Sequence, residues 1–176
     1  MSGLVLVLDV TRSMRTKLAS AFTILASEPA TAYSSRDQFR AVLYSDHGRD
    51  EPLLVRKVGP FGDLSGLLAA LKPLPEGDGG DSDEALEDAV QRCRELTDDI
   101  GPQDFLVLTD APPHSAEKCP YGIDFETEVR SLLDAGSRIQ VASDWCDGSI
   151  WNAFNGSTGF QFAPLKTLIS APTPAS

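Results

Sequence analysis

Basic residues are scarce in this chain. Lys and Arg number 15 against 26 Asp and Glu in 176 residues, a formal net charge of −11. Such a surface repels phosphate backbones, so nucleic acid is not an expected partner; divalent cations or a basic protein surface suit it better. Cysteine is also scarce. Cys93, Cys119 and Cys146 are an odd set, too few for a disulfide framework, and a reducing, cytoplasmic setting is the expectation. Long apolar runs are missing. The opening run, residues 4–8, is too short for a membrane span or a signal-peptide core, and no basic region precedes it, so no membrane partner is expected. The remainder is 41% apolar and long enough for one domain with a real core.

The apolar pattern alternates between two periods. Residues 3–9 are short, continuous and β-branched, which predicts a strand buried on both faces. Leu18, Ala21, Phe22 and Leu25 predict a helix over 14–27, with Pro29 beyond its end. "FRAVLYSD" and "PLLVRKVG" predict two strands of a hairpin, and "LSGLLAALKPL" a short helix stopped by Pro73 and Pro75. A Gly/Asp loop, "EGDGGDSDE", leads into a helix over "SDEALEDAVQRCREL", with acids in the first turn where the macrodipole favours them. "DFLVLTDAPPHS" repeats the opening theme, a buried strand ending at Asp110. An amphipathic helix over "FETEVRSLLDAG" stops at Gly136. A strand "RIQVASDW", a short helix "SIWNAFNGSTG" and an edge strand "FQFAPL" follow. This alternation predicts a three-layer, doubly wound α/β fold of Rossmann-like type, with a mainly parallel sheet of about six strands. The domain is expected over 1–169, with 170–176 a flexible Pro/Ser/Ala tail or linker.

Oxygen ligands gather where these strands end. Asp9, Thr11 and Ser13 stand at alternate positions, and in an extended turn such side chains converge on one point. Asp110 ends the second buried strand, and the Gly/Asp loop brings Asp81 or Ser82. Ligands of open α/β sheets collect outside the carboxyl ends of strands. Hard divalent ions want oxygen ligands. Hydroxyl ligands leave positive charge on the ion, which an outside carboxylate can complete.

Each feature also has a plainer interpretation. Asp-x-Thr-x-Ser after a strand is often a helix N-cap region, and "EGDGGDSDE" an ordinary solvated loop. His114 reads as a polar loop residue, Trp145 and Trp151 as packing residues. Arg12 either meets an acidic partner or extends into solvent. His114 with Cys119 and Cys146 would make a soft-metal site, but no Cys-x-x-Cys pair supports it.

These elements resemble the von Willebrand factor A (vWA) domain family. Asp9-Val10-Thr11-Arg12-Ser13 matches the first element of its metal-ion-dependent adhesion site (MIDAS) in D-x-T-x-S form. "GGDSDEAL" resembles the variant second element G-G-D-x-x-E-A, and "LVLTDAPPHS" the third. The resemblance implies a vWA fold with an antiparallel edge hairpin. It also implies a site for Mg²⁺ (or Mn²⁺ or Ca²⁺) built from Asp9, Thr11, Ser13, Asp81 and Asp110. The commonest members carry Thr in the second loop. Counting back from Leu86 puts Ser82 there, whereas the G-G-D form puts Asp81 there and would make the site more anionic. The implied function is a protein-interaction module without chemistry of its own, binding a partner's Asp or Glu. By analogy, it would work within a multi-protein assembly with an AAA-type ATPase.

A second resemblance implies an enzyme. "LDVTRS" is similar to the nucleophile loop of haloacid-dehalogenase-like phosphohydrolases. In that case Asp9 attacks phosphorus, and Asp78 and Asp81 hold Mg²⁺. Against it, "LKPLPE" rather than a hydrophobic strand precedes "GDGGD", and Lys57 and Lys72 fall in a strand and a loop rather than on a helix between the motifs. A scaffold whose metal site has decayed is a third possibility, at odds with the intact oxygen set.

Overall fold

Every residue of Leu4–Asp9 (β1) is buried, a pattern that only a strand covered by helices on both sides sustains. The computed structural model describes residues 3–27, 36–47, 55–74, 77, 82–145 and 149–166. In it β1 lies inside a six-stranded sheet. Phe39–Tyr44 (β2) and Asp104–Thr109 (β4) flank it in parallel, and Arg138–Ser143 (β5) and Phe160–Pro164 (β6) extend the sheet beyond β4. Val55–Phe61 (β3) pairs antiparallel with β2 at the opposite edge, giving the order β3-β2-β1-β4-β5-β6. This is the expected α/β fold, with its antiparallel edge pair.

The two-residue period of β1 sorts the helices. Leu4, Leu6 and Leu8 face Arg15–Ser27 (α1) and Leu64–Ala70 (α2), packing on Leu18, Ala21, Leu25, Leu67 and Leu68. Val5 and Val7 face Leu86–Ile100 (α3), Phe125–Asp134 (α4) and the short Ser149–Asn152 (α5), packing with Ala89, Cys93, Val129, Leu132 and Trp151. Asp63 and Asp124 cap α2 and α4 by accepting from Gly66 N and Thr127 N.

The sequence-based limits shift where tertiary partners take over backbone groups. The first helix opens with one 3₁₀ turn, Arg12–Met14, before α1. The third begins at Leu86 rather than Ser82, because Glu84 N and Ala85 N donate to Pro112 O and Ser45 O instead of a helical turn. The second ends at Ala70, short of the prolines. Residues 52–54 of the expected third strand, Asp78, Asp81, Cys146 and the limit at 169/170 lie outside the described residues. Among the described residues, no helix is long and apolar enough to cross a membrane.

A polar clamp closes the amino end of the sheet. Gly3 N donates to Gln103 Oε1 at 2.9 Å, and a Cβ on Gly3 would come within 2.6 Å of that oxygen. Next to it Asp104 accepts from Arg138 Nε (2.6 Å) and Nη2 (2.7 Å), and from Arg36. Burial pushes the Asp104 carboxyl up, but the bonds and charges of Arg138 and Arg36 outweigh it, leaving the pKa below its ordinary 3.8. A depressed folded pKa stabilises the fold above pH 4, and that contribution is lost as pH falls through the folded value. Asp104→Asn is expected to cost about 1–3 kcal/mol at neutral pH. Urea melts from pH 7 down to 3 should show the gap from wild type closing on the acid side.

Candidate functional site

The chain leaves β1 towards β2 on one side and later enters β4 on the other. The carboxyl ends of β1 and β4 therefore flank the crevice where strand order reverses, the usual ligand position in open α/β sheets. Asp9 is the last residue of β1 and Asp110 the first after β4. Asp9 follows Val5 and Val7 on the α3 face, in register with Tyr44, and is fully buried.

From Asp9 a row of oxygens runs outward. Asp9 Oδ1 accepts from Thr11 N at 2.9 Å and Thr11 Oγ1 at 2.6 Å, and Oδ2 lies 3.3 Å from Thr109 Oγ1, whose single proton is shared with Ala111 O at 3.0 Å. Thr11 Oγ1 lies 3.1 Å from Ser13 Oγ, and Ser13 Oγ 3.1 Å from Asp110 Oδ1. Thr11 occupies the N-cap position of the 3₁₀ turn in extended conformation, yet its side chain makes no capping bond. The N-cap interpretation of the motif therefore does not hold for Thr11. Asp9, Thr11, Ser13 and Asp110 all come together, from a buried carboxylate to an exposed serine.

The row is short of hydrogen. The Thr11 hydroxyl spends its proton on Asp9, and the single Ser13 proton can serve Thr11 or Asp110 but not both. Three oxygen–oxygen contacts thus share two hydroxyl protons. Burial raises Asp9 to about 6; the hydrogen bonds from Thr11 pull it down and the charge of Asp110 adds to the rise. Burial, then Asp9, with smaller parts from Glu84 and Asp110, also pushes the Tyr44 phenol well above 10. Three carboxylates thus act on one buried point.

Sequence reasoning missed two charged residues here. Lys17 Nζ lies 2.9 Å from Asp110 Oδ2 and 3.1 Å from Asp144 Oδ2. Burial lowers the Lys17 pKa, but the bonds and charges of Asp110 and Asp144 more than restore it. Asp110 thus splits its oxygens, Oδ1 to Ser13 and Oδ2 to an ammonium. Lys17 stands one helical turn past Ser13, and Asp144 directly follows β5 as Asp110 follows β4, which is the pattern that would have found it. Glu84, the glutamate of "GGDSDEA", is 4% exposed.

The second loop is tied down at both ends. Gly77 N donates to Val10 O at 3.2 Å and bridges Thr11; Glu84 N donates to Pro112 O at 2.9 Å and bridges Pro113. Asp81 falls between these anchors in sequence, outside the described residues. Ser82 is exposed, with its hydroxyl on Asp83 Oδ1 at 3.3 Å. His114 is a polar loop residue, as its setting suggests, but a buried one: it is 5% exposed, its amide on Glu87 Oε2. Arg12 is exposed, and Trp151 is a packing residue stacked on Phe162.

Fold and site together define a doubly wound α/β protein with an oxygen-lined crevice at its switch point. No family model matches the chain, and no curated protein matches it.

The buried Asp9 has a consequence for stability. Its folded pKa is raised, so the folded state holds a proton that the unfolded state releases. With chelator present, stability should fall as pH rises from about 4 to about 6, by about 2–3 kcal/mol from this group. Asp9→Asn should lack that component of the slope, as chemical denaturation across the same range would read out.

Proposed function

We propose that this chain is a divalent-cation-dependent protein-binding module of the vWA type. The observation that carries the reading is the proton-deficient row from Asp9 through Thr11 and Ser13 to Asp110. Oxygens held about 3 Å apart without enough hydrogens between them suit a hard cation, which needs none. Thr11 and Ser13 would bind Mg²⁺ (or Mn²⁺ or Ca²⁺) through their hydroxyls. Asp9 and Asp110 would hold it directly or through waters, and Asp81 is assigned to the shell by the resemblance. The ion would supply a positive point at the rim, where Ser13 is exposed, for an Asp or Glu of a protein partner. Membership of an assembly with an AAA-type ATPase belongs to the same proposal and rests on analogy.

This chain's own residues set the terms of such binding. Lys17 already draws off part of the Asp110 charge, which leaves the ion less neutralised and a partner carboxylate more welcome. The buried Asp9 anchors the loop rather than facing a partner, since it has no exposed surface and its Oδ1 is engaged by the Thr11 amide and hydroxyl.

Ser13→Ala removes one hydroxyl and no charge. Millimolar Mg²⁺ or Mn²⁺ should stabilise wild type by mass action, by about 2.7 kcal/mol at a hundredfold excess over Kd, and raise its melting temperature accordingly. The variant should respond less while matching wild type in chelator. A melt insensitive to both ions, or a variant that responds fully, would contradict the proposal. The phosphohydrolase alternative is separated by an assay of aryl phosphates and nucleotides with Mg²⁺: no turnover is expected. Turnover abolished by Asp9→Asn would make the chain an enzyme.

A further inference from the structure

We propose a second metal site, for Zn²⁺ or a similar transition ion, formed by His47, Glu87, Asp88 and Cys119. The four come from three places in the fold: His47 follows β2, Glu87 and Asp88 occupy the first turn of α3, and Cys119 lies in the loop between β4 and α4. One ligand atom from each lies within 4.8 Å of all the others. His47 Nε2 is 3.0 Å from Glu87 Oε1 and 3.1 Å from Asp88 Oδ2, and Cys119 Sγ is 3.8 Å from Asp88 Oδ2. A tetrahedral Zn²⁺ with bonds of about 2.0–2.3 Å sets its ligand atoms about 3.3–3.8 Å apart, so small side-chain adjustments would close the shell.

The charge pattern calls for a cation. The Glu87 and Asp88 side chains are 0% and 9% exposed, and both converge on one imidazole nitrogen. That nitrogen carries at most one proton, which two buried carboxylates then have to share. A divalent ion in its place would meet both carboxylates, the neutral imidazole and the thiolate. The nitrogen and sulfur donors select against Mg²⁺ and Ca²⁺ and for the zinc class.

Supporting groups surround the four. The His114 amide donates to Glu87 Oε2 at 3.0 Å, so the carboxylate is held from behind while Oε1 faces His47. Asp46 Oδ1 accepts the His47 amide at 2.6 Å and lies 3.4 Å from His114 Nε2. A ligating carboxylate held by a hydrogen bond, as Glu87 is, is a common feature of metal sites. The cluster shares no residue with the oxygen row at Asp9, and it adds nitrogen and sulfur donors that the row lacks.

Co²⁺ is the probe for the test, as a spectroscopic substitute for Zn²⁺. The full chain, stripped with chelator and titrated with Co²⁺, should develop the intense visible bands of a tetrahedral ion and a near-ultraviolet thiolate-to-cobalt band, both bleached by Zn²⁺. Cys119→Ser should remove the thiolate band. His47→Ala, at the rim of the cluster, should weaken binding at least about tenfold. Cys93→Ser, Cys146→Ser and Ser13→Ala should leave the spectrum unchanged. A wild-type chain without a thiolate band would overturn the proposal. So would a band that survives Cys119→Ser and disappears with either other cysteine.

Discussion

The rest of the site depends on one buried negative charge. Asp9 ends the central strand inside the fold, and the crowding of neighbouring groups follows from keeping its carboxylate there. Thr11 turns its amide and hydroxyl back onto it instead of capping the next turn, and Thr109 reaches across from β4. This pins the loop after β1 in the conformation that presents Ser13 beside Asp110. A carboxylate whose pKa has risen to about 6 despite those bonds is held at a cost. A cation at the adjacent hydroxyls would offset that cost where it arises.

The sheet decides which charges can meet. Because β1 and β4 are neighbours and parallel, Asp9 and Asp110 stand side by side at the switch point, and β5 places Asp144 next in line. α1 starts at the same rim, so Lys17 falls between Asp110 and Asp144 as a built-in counter-charge. The start of α3 is drawn in too, with Glu84 beneath the third loop and Glu87 and Asp88 turned towards His47. One topology thus produces two chemically different clusters: oxygen donors alone at the switch point, mixed nitrogen, oxygen and sulfur donors beyond β2.

What was legible in the sequence was what local rules determine. The continuous Leu/Val run of β1 announces burial on both faces, and "DFLVLTD" repeats it. From those two strands and the intervening helical periods the sheet followed, together with the placement of Asp9, Thr11, Ser13 and Asp110 at one rim. The start of α3 was not legible, because Ser82 and Asp83 look like a helix entrance while the amides of Glu84 and Ala85 are claimed by Pro112 and Ser45 from distant segments. Lys17 and Asp144 stand at telling positions, one turn past Ser13 and directly after β5, but their pairing through Asp110 and across loops is set by the folded sheet. A helix entered at Ser82 has Asp83 and Glu84 as its macrodipole acids, and nothing local tells that Glu87 and Asp88, which open α3 instead, both meet His47 from 40 residues earlier. The two prolines before His114 mark a loop, but they do not tell that its amide is bonded to Glu87 of α3, inside the fold.

The central claim is that the Thr11–Ser13–Asp110 row seats a divalent cation. Anomalous diffraction from crystals grown with saturating Mn²⁺ tests it most directly. A manganese peak is expected between Thr11 Oγ1 and Ser13 Oγ, with the Asp9 and Asp110 carboxylates bonded to it directly or through waters. Crystals with the hydroxyl row intact and no manganese peak beside it would contradict the account.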